Sequence, residues 1–453
     1  MKHILKLKPM NRKKTNRRNF IKNSSLALMC APILGKSTIL PNQDTKEPQE
    51  ILKIKNYSTF GRTGFKVSDI GSGSPRSEAV LRALLKSGVN YIDTGADYGN
   101  GNNERLIGRV LPEFDRKKIF IMSKIYTETN FESKEKVVER IRGALERLGT
   151  DYIDCVGIHS AENTRIIKDE AFHAGVEQMK AEGRVKFTGV SCHGNSWYMA
   201  PEESLEKVLM AAVDDGRFDV IQMAYNFVNA PIADKILAAC EEKNIGTIII
   251  KSNPVVIYNI LDKYVKSLED QEKDPGKGYY AYRDRYKERA GKAKSYFNKY
   301  GMTTEEELID AATLFVLSNP QAHTVCLDIL NLTAINPYLK LSGQILQPTQ
   351  ASLLEIYTEH FGTLNCRIGC NECEKACPHH LPVNTIMRYN YYFQNKKLEK
   401  EAMQLYAKIP GKNADVCKEC QGYCEEACPY DVSTRSLLSI AHQNLSLDQE
   451  SFA

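Results

Sequence analysis

Tyr91-Ile92-Asp93-Thr94-Gly95-Ala96-Asp97-Tyr98-Gly99 is the stretch on which the reading of this chain turns. An apolar pair runs into an aspartate, and a tyrosine follows five residues later. Upstream lies a helical pattern, Glu78 to Lys86, and then the breaker Ser87-Gly88. Helix, breaker and short buried strand form one unit of an α/β fold. The strand is expected to end at Asp93, with Tyr98 on the loop behind it. In an α/β barrel the loops at the carboxyl ends of the strands carry the chemistry. Two further strand ends fit: Ile119-Phe120-Ile121-Met122-Ser123 runs into Lys124, and Cys155-Val156-Gly157-Ile158 runs into His159. An acid, a phenol, an amine and an imidazole thus arrive in order on three strand ends.

Each of these residues has an ordinary reading, since a strand-end aspartate often caps a helix and a lone histidine is often a satisfied core residue. Together, Asp93, Tyr98, Lys124 and His159 resemble the catalytic tetrad of the aldo/keto reductases. The contexts Asp-Thr-Gly-Ala-Asp-Tyr-Gly, Ser-Lys and Asp-Tyr-Ile-Asp followed by His resemble the family as well. The resemblance implies hydride transfer between NAD(P)H and a small carbonyl or alcohol. Carbonyl reduction needs a proton for the oxygen, and a free tyrosine, with a pKa near 10, is a poor donor until tuned. Lys124, ion-paired with Asp93, is expected to bring positive charge beside Tyr98 and favour its ionised form in the reverse direction. His159 is expected to orient the substrate oxygen.

The resemblance further implies that Ser191, Gln222 and Asn226 lie near the nicotinamide amide. Two features depart from the family. Lys251 stands where an aromatic residue often stacks on nicotinamide. After Cys326-Leu327-Asp328 no Lys or Arg occurs until Lys340, where the family often clamps the extra phosphate of NADPH. Asp328 suits ribose hydroxyls, as acids do in NAD sites. The choice between NADH and NADPH stays open, and no G-x-G-x-x-G fingerprint is present.

Strands are predicted at Val67–Gly71, Tyr91–Asp93, Ile119–Ser123, Cys155–Ile158, Thr188–Ser191, Val220–Met223, Thr247–Ile250 and Thr324–Leu327. Helical patterns separate them: Ser133 to Leu148, Asp169–Glu182, Ser204–Asp215, Ile232–Lys243 and Thr304–Leu317. Ser133 fits an N-cap, and Val137, Ile141, Leu145 and Leu148 recur at helical spacing. Eight alternations predict a (β/α)8 TIM barrel over residues 57–343. Residues 252–303 read as an insertion after the seventh strand, rich in Tyr and charged residues. A loop of that length needs helices or a function of its own. Substrate contacts, docking of the C-terminal region and a plain solvated helix pair are all open.

The net charge of +5 comes from the start of the chain. Residues 1–22 hold nine Lys or Arg and no acid, so the remainder is net negative. A nucleic-acid partner needs a basic face on the folded part, and none is indicated. Residues 1–36 read as a signal segment: a basic stretch with Arg17-Arg18, then the uncharged run Asn23 to Gly35. That run is shorter than the roughly 20 apolar residues of a membrane span, so no transmembrane span is expected. The paired arginines resemble a twin-arginine export signal, which implies the export machinery as a partner and a periplasmic location. A basic tail on a cytoplasmic protein is the alternative. Residues 37–56 read as a linker.

Eight of the 13 cysteines fall between Cys366 and Cys428. They form two sets, Cys366, Cys370, Cys373, Cys377 and Cys417, Cys420, Cys424, Cys428. A disulfide framework belongs to short secreted chains, so the bunching points to ligation. Each set ends in Cys-Pro, as bacterial ferredoxin runs do, where the fourth cysteine serves the other cluster. Two [4Fe–4S] clusters with crossed ligation are predicted, with zinc as the structural alternative. Asn384 to Ala407 reads as helix between the sets. The region 344–442 therefore resembles a small, mainly helical ferredoxin-like domain, and a tail is expected over 443–453. Clusters move one electron and nicotinamide gives two. Either the clusters are structural, or they serve a redox partner protein rather than the barrel's own nucleotide. An electron-carrying or redox-sensing protein on a retained barrel is the rival to an enzyme.

Overall fold

In the computed structural model, which describes residues 50–127, 130–194, 203–254, 305–396 and 398–446 with Glu269, Asp270, Ser295, Asn298 and Lys299, eight parallel strands close on one another. A short antiparallel pair, β1 (Tyr57–Thr59) and β2 (Lys66–Ser68), comes first. The barrel strands are β3 (Ile70–Ser72), β4 (Tyr91–Asp93), β5 (Phe120–Tyr126), β6 (Ile153–His159), β7 (Val185–Cys192), β8 (Val220–Ala224), β9 (Gly246–Ile250) and β10 (Thr324–Leu327). Each pairs with its sequence neighbour, and β10 closes the ring by pairing Val325 with Ile70 and Thr324 with Ile248. This is the expected (β/α)8 architecture. Parallel strands covered on both faces read as unbroken apolar runs, and every residue of β6 is buried.

The first strand differs from the prediction. Val67–Gly71 is not one strand, because the chain turns at Asp69. The Asp69 carboxylate accepts hydrogen bonds from Ser342 Oγ and Gly343 N, both at 2.8 Å. That anchor ends β2 and lets β3 begin afresh in the barrel. The hairpin closes the barrel's amino-terminal end. Phe60 between its strands is fully buried and meets the rings of Tyr91 and Phe120 edge-on, at 6.3 and 5.1 Å.

The helix over Lys134–Leu148 forms as its spacing predicts. Ser133 Oγ accepts from Lys136 N at 3.3 Å, Val137, Ile141 and Leu148 are buried, and Gly149 ends it in the left-handed region. A helix over Asn102–Val110 was not foreseen, because its inward face includes Glu104 beside Ile107 and Val110 and so breaks the apolar pattern. Between the cysteine sets the single expected helix is two, Val383–Lys396 and Glu399–Ala407. The chain breaks at Leu398, whose N–H donates to Tyr392 O at 3.1 Å.

The C-terminal region packs directly on the barrel. Phe227, Val228, Leu308 and Ala311 of the barrel share a core with Leu353, Tyr357, Phe361, Leu437 and Ile440. Full burial of side chains as large as Tyr357 and Phe361 stabilises by roughly 1.5–3 kcal/mol each. The predicted signal segment, most of the linker, most of the insertion 252–303 and the end of the tail lie outside the described residues. Among the described residues no helix is long and apolar enough to cross a membrane.

Candidate active site

Asp93 closes β4, Lys124 lies within β5 and His159 closes β6, so adjacent strands carry these three side chains to the same end of the barrel. Tyr98 follows on the loop after β4. Lys124 is fully buried, and its Nζ donates to Asp93 Oδ1 at 2.6 Å and to Thr94 O at 2.7 Å. Gln222 Nε2 donates to the same Asp93 oxygen at 2.8 Å. The Lys124 ammonium lies 5.2 Å from the centre of the Tyr98 ring. Behind Lys124, Ser123 Oγ donates to Glu104 Oε1 at 2.6 Å, and Arg147 Nε donates to Glu104 Oε2 at 2.6 Å. The buried Glu104 of the unforeseen helix therefore braces the strand that holds Lys124.

The phenol meets the imidazole. Tyr98 Oη lies 3.3 Å from His159 Nε2, and His159 Nδ1 lies 2.5 Å from Asp97 Oδ2. Burial lowers the His159 pKa against the opposing pull of Asp97, so the ring is neutral at neutral pH. A carboxylate accepts only, which puts the single ring proton on Nδ1 and leaves Nε2 to accept from the tyrosine. Nothing local in the sequence assigns Asp97 a role. Its task follows only from the loop geometry that points it back at His159.

The surroundings of Tyr98 favour its protonated form. Burial, followed by the charges of Asp93, Cys326, Asp328 and Asp97, pushes its pKa well above 10. Lys124 is paired with Asp93 at contact distance, as the sequence reading expects. The phenol is thus held protonated and ready to donate.

One cavity joins these groups. Asp93, Tyr98, His159 and Gln222 border it, with Lys251 at the end of β9 and Asp328 after β10. Gly73 packs against the β10 end so closely that a Cβ there would stand 2.5 Å from Asp328 Oδ1. Lys251 has φ +57°, a conformation that costs a non-glycine residue on the order of 1–3 kcal/mol and gathers at functional sites. Of the other expected cofactor contacts, Ser191 and Asn226 do not border this cavity. Ser191 Oγ, on β7, accepts from Ser160 N at 2.8 Å and ties that strand to the chain just after β6. Asn226 Nδ2 donates to Lys251 O at 3.0 Å, so it positions the lysine. Arg388, Tyr391 and Tyr392 of the C-terminal region complete the wall. No local sequence signal links that helix to strand ends more than 200 residues earlier.

The cysteines gather across the two sets. Cys366, Cys370 and Cys373 border one small cavity together with Cys428 of the second set. The thiols of Cys417 and Cys424 are pushed up to about 12 by burial first, and also by the nearby charge of Cys377. Asn384 Nδ2 donates to Cys366 Sγ at 3.2 Å, and Leu381 N donates to Cys377 Sγ at 3.5 Å. Among the described residues no group of three or more His, Cys, Asp or Glu side chains is arranged to hold a metal ion.

Residues 60–340 match the model of the aldo/keto reductase family. The chain belongs to the aldo/keto reductase family. It is 24% identical over 220 residues to aldo-keto reductase YhdN of Bacillus subtilis, covering 43% of this chain and 61% of that protein. It is 31% identical over 150 residues to L-galactose dehydrogenase of Arabidopsis thaliana, covering 29% and 47%. Methylglyoxal reductase YeaE of Escherichia coli is 32% identical over 113 residues, covering 25% and 38%. The matches thus span between 38% and 61% of these three relatives. An aldo-keto reductase from Bacillus halodurans, solved in its holo form, superposes at a TM-score of 0.48 with 19% identity over 67% of this chain and 95% of its own. One from Klebsiella pneumoniae, solved with NADP and acetate, gives 0.45 and 18% over 67% and 95%. The family match ends at residue 340, before the first of the eight clustered cysteines.

Proposed function

We propose that this protein is an oxidoreductase of aldo/keto reductase type that moves a hydride between a nicotinamide cofactor and a carbonyl or alcohol substrate. The observation that carries the reading is the hydroxyl of Tyr98, kept protonated and aimed at His159 over the Lys124–Asp93 pair. NAD(P)H, when bound, supplies or accepts the hydride. Tyr98 holds the proton that a reduced carbonyl oxygen needs. His159 is positioned beside that oxygen, and Asp97 keeps its Nε2 facing the reaction. Gln222, Lys251 and Asp328 are the cavity residues available to the nucleotide. The test is titration of the purified protein with NADH and NADPH, followed by a carbonyl panel. Binding with turnover supports the reading, and a protein that binds neither nucleotide is an electron carrier on a retained barrel.

The eight cysteines fit two [4Fe–4S] clusters with crossed ligation. A single tetrahedral ion holds thiolates about 3.8 Å apart, given Zn–S bonds of about 2.3 Å. A cube seats each cysteine on its own iron and asks for a wider ring. Cys428 shares a cavity with the first set, which supports crossing. The N–H groups directed at Cys366 and Cys377 suit thiolate sulfurs bound to iron. The clusters are structural or pass single electrons to a redox partner protein. Arg17-Arg18 and the apolar run behind them support export to the periplasm by the twin-arginine route, with the chain already folded.

A further inference from the structure

The two cysteine sets are built on one repeated frame. Cys377 N donates to Glu374 O at 3.1 Å, and Cys428 N donates to Glu425 O at 3.2 Å. His380 N donates to Cys377 O at 3.0 Å and Asp431 N to Cys428 O at 3.3 Å, and both donor residues have φ +51°. At the heads of the helices that follow, Asn384 N and Arg435 N donate to the carboxylates of Glu374 and Glu425, at 2.9 and 2.8 Å. Because the frame repeats, the places where the halves differ are informative. The residue after the first cysteine is one of them. In the second set it is Lys418, exposed and paired with Asp415 at 2.6 Å. In the first set it is Arg367, which is only 8% exposed.

Arg367 borders the same small cavity as Cys366, Cys370, Cys373 and Cys428. Its Nη1 donates to Gly362 O and to Asn365 O, and the guanidinium lies 4.6 Å from the centre of the Tyr430 ring. Tyr430 follows Cys428-Pro429, so this stacking fastens the first set to the last cysteine of the second. The Arg367 Nε is buried without a hydrogen-bond partner, and among the described residues no carboxylate pairs with the guanidinium. A buried cation without a counter-charge is strongly unfavourable. Protonated thiols supply none, whereas four thiolates on a metal–sulfur core outweigh the charge of the core and are anionic together. The reduced form of such a centre carries one more negative charge than the oxidised form, so a neighbouring cation favours it. The second set has a cation of its own in Arg435, whose Nη1 donates to Cys420 O at 2.9 Å, but that side chain is half-buried. Glu374 and Glu425 hold equivalent places in the two halves and do not distinguish them.

We propose that Arg367 is the counter-cation of the first cysteine set: it balances the anionic centre held by Cys366, Cys370, Cys373 and Cys428 and makes that centre easier to reduce. This rests on the iron–sulfur reading for the identity of the centre, while the demand for an anion beside Arg367 does not. The residue acts through charge across the cavity and is not itself a ligand.

The measurement is a dithionite titration followed by EPR on the anaerobically prepared full-length protein, wild type beside Arg367→Met and Arg367→Lys, with iron content measured on each. Arg367→Met should lower the reduced-to-oxidised ratio of one centre on the order of tenfold at a fixed potential, about 59 mV for a one-electron couple. The other centre should stay within about twofold, because net charge acts locally on such groups. Arg367→Lys keeps the charge and should stay near the wild-type potential. In a Cys428→Ser background, where the first set's centre is damaged, Arg367→Met should shift nothing further. An unchanged potential in Arg367→Met with full iron content overturns the proposal, and so does an equal shift in both centres. If the methionine variant fails to load the first centre, loading by the lysine variant supports the charge role, and failure of both overturns it. A wild type that holds zinc overturns the iron–sulfur reading instead. The charge role is then read by chelator competition, in which Arg367→Met should release metal from the first set before the wild type does, and equal release overturns it.

Discussion

His159 Nδ1 lies 2.5 Å from the Asp97 carboxylate, and this contact decides which way the imidazole faces. With the ring proton committed to Asp97, the opposite nitrogen is an acceptor 3.3 Å from the Tyr98 hydroxyl. Three side chains are thereby aligned so that one proton, on the phenol, is available at the cavity wall. The Lys124–Asp93 pair beneath them is buried and internally neutral.

Removing that proton is the most direct test. Tyr98→Phe should lower carbonyl reduction by roughly 10²- to 10⁴-fold, the usual worth of a general acid. Nucleotide affinity should be unchanged, because the ring remains. Steady-state rates beside a fluorescence titration measure both, and a variant reducing carbonyls at the wild-type rate would remove Tyr98 from the role of acid.

Asp97→Asn tests orientation rather than proton supply. The amide can present either N–H or C=O to Nδ1, so the tautomer is no longer fixed, and kcat should fall by at least about tenfold. The pH profile adds a readout. Burial holds the His159 pKa below 6.5 while Asp97 pulls it upward. Activity should decline as pH falls through that depressed value, where the ring takes a second proton and Nε2 stops accepting. Without the carboxylate charge this acidic limb should move to lower pH, and a limb that stays in place would count against His159 as the titrating group.

The barrel and the C-terminal region meet backbone to backbone at Gly194 and Gly369. A Cβ on Gly194 would stand 2.6 Å from Gly369 Cα, and Gly194 has φ +66°. Gly194→Ala should cost roughly 1–3 kcal/mol and loosen the C-terminal region. Gly183 has a similar φ of +70° but nothing within 4 Å of a Cβ. Gly183→Ala should therefore show only the strain of the left-handed conformation, about 1–2 kcal/mol. Denaturant unfolding with limited proteolysis would separate them; equal losses, with the C-terminal region equally protected, would mean that the contact is not tight.

Crossed ligation makes a specific claim about Cys428. It shares its cavity with Cys366, Cys370 and Cys373, not with its own set. About eight irons per chain are expected in anaerobically prepared wild type, from two four-iron centres. Cys428→Ser should damage the first set's centre and spare the other, seen by EPR. About four irons would reduce the claim to one centre, and zinc in place of iron would end it.

Export is tested by replacing Arg17 and Arg18 with lysine. The double variant should remain in the cytoplasm, whereas the wild type is recovered from the periplasm by cell fractionation. Unchanged export would dismiss the twin-arginine reading.

The strand–helix alternation and the four residues at the strand ends were legible in the sequence because both are local. Apolar periodicity reports an element's own burial, and a strand end is a position in one segment. The split of the first strand was not legible, since Asp69 turns the chain only by bonding Ser342 and Gly343, more than 270 residues away. The Asn102–Val110 helix was hidden because its buried Glu104 is satisfied by Ser123 and Arg147 from other elements. Two cysteine sets could be counted in the sequence, but the gathering of Cys428 with the first set is a matter of packing. The protonation of Tyr98 also belongs to the tertiary structure, because it is set by burial first and then by carboxylates gathered from the carboxyl ends of β4 and β10. Arg388 is the clearest case: nothing around it in the chain marks it as part of the cavity wall. Only the packing of its helix against the barrel brings this side chain to the wall of the cavity that Tyr98 borders, and placements of that kind are set by packing between segments rather than within one.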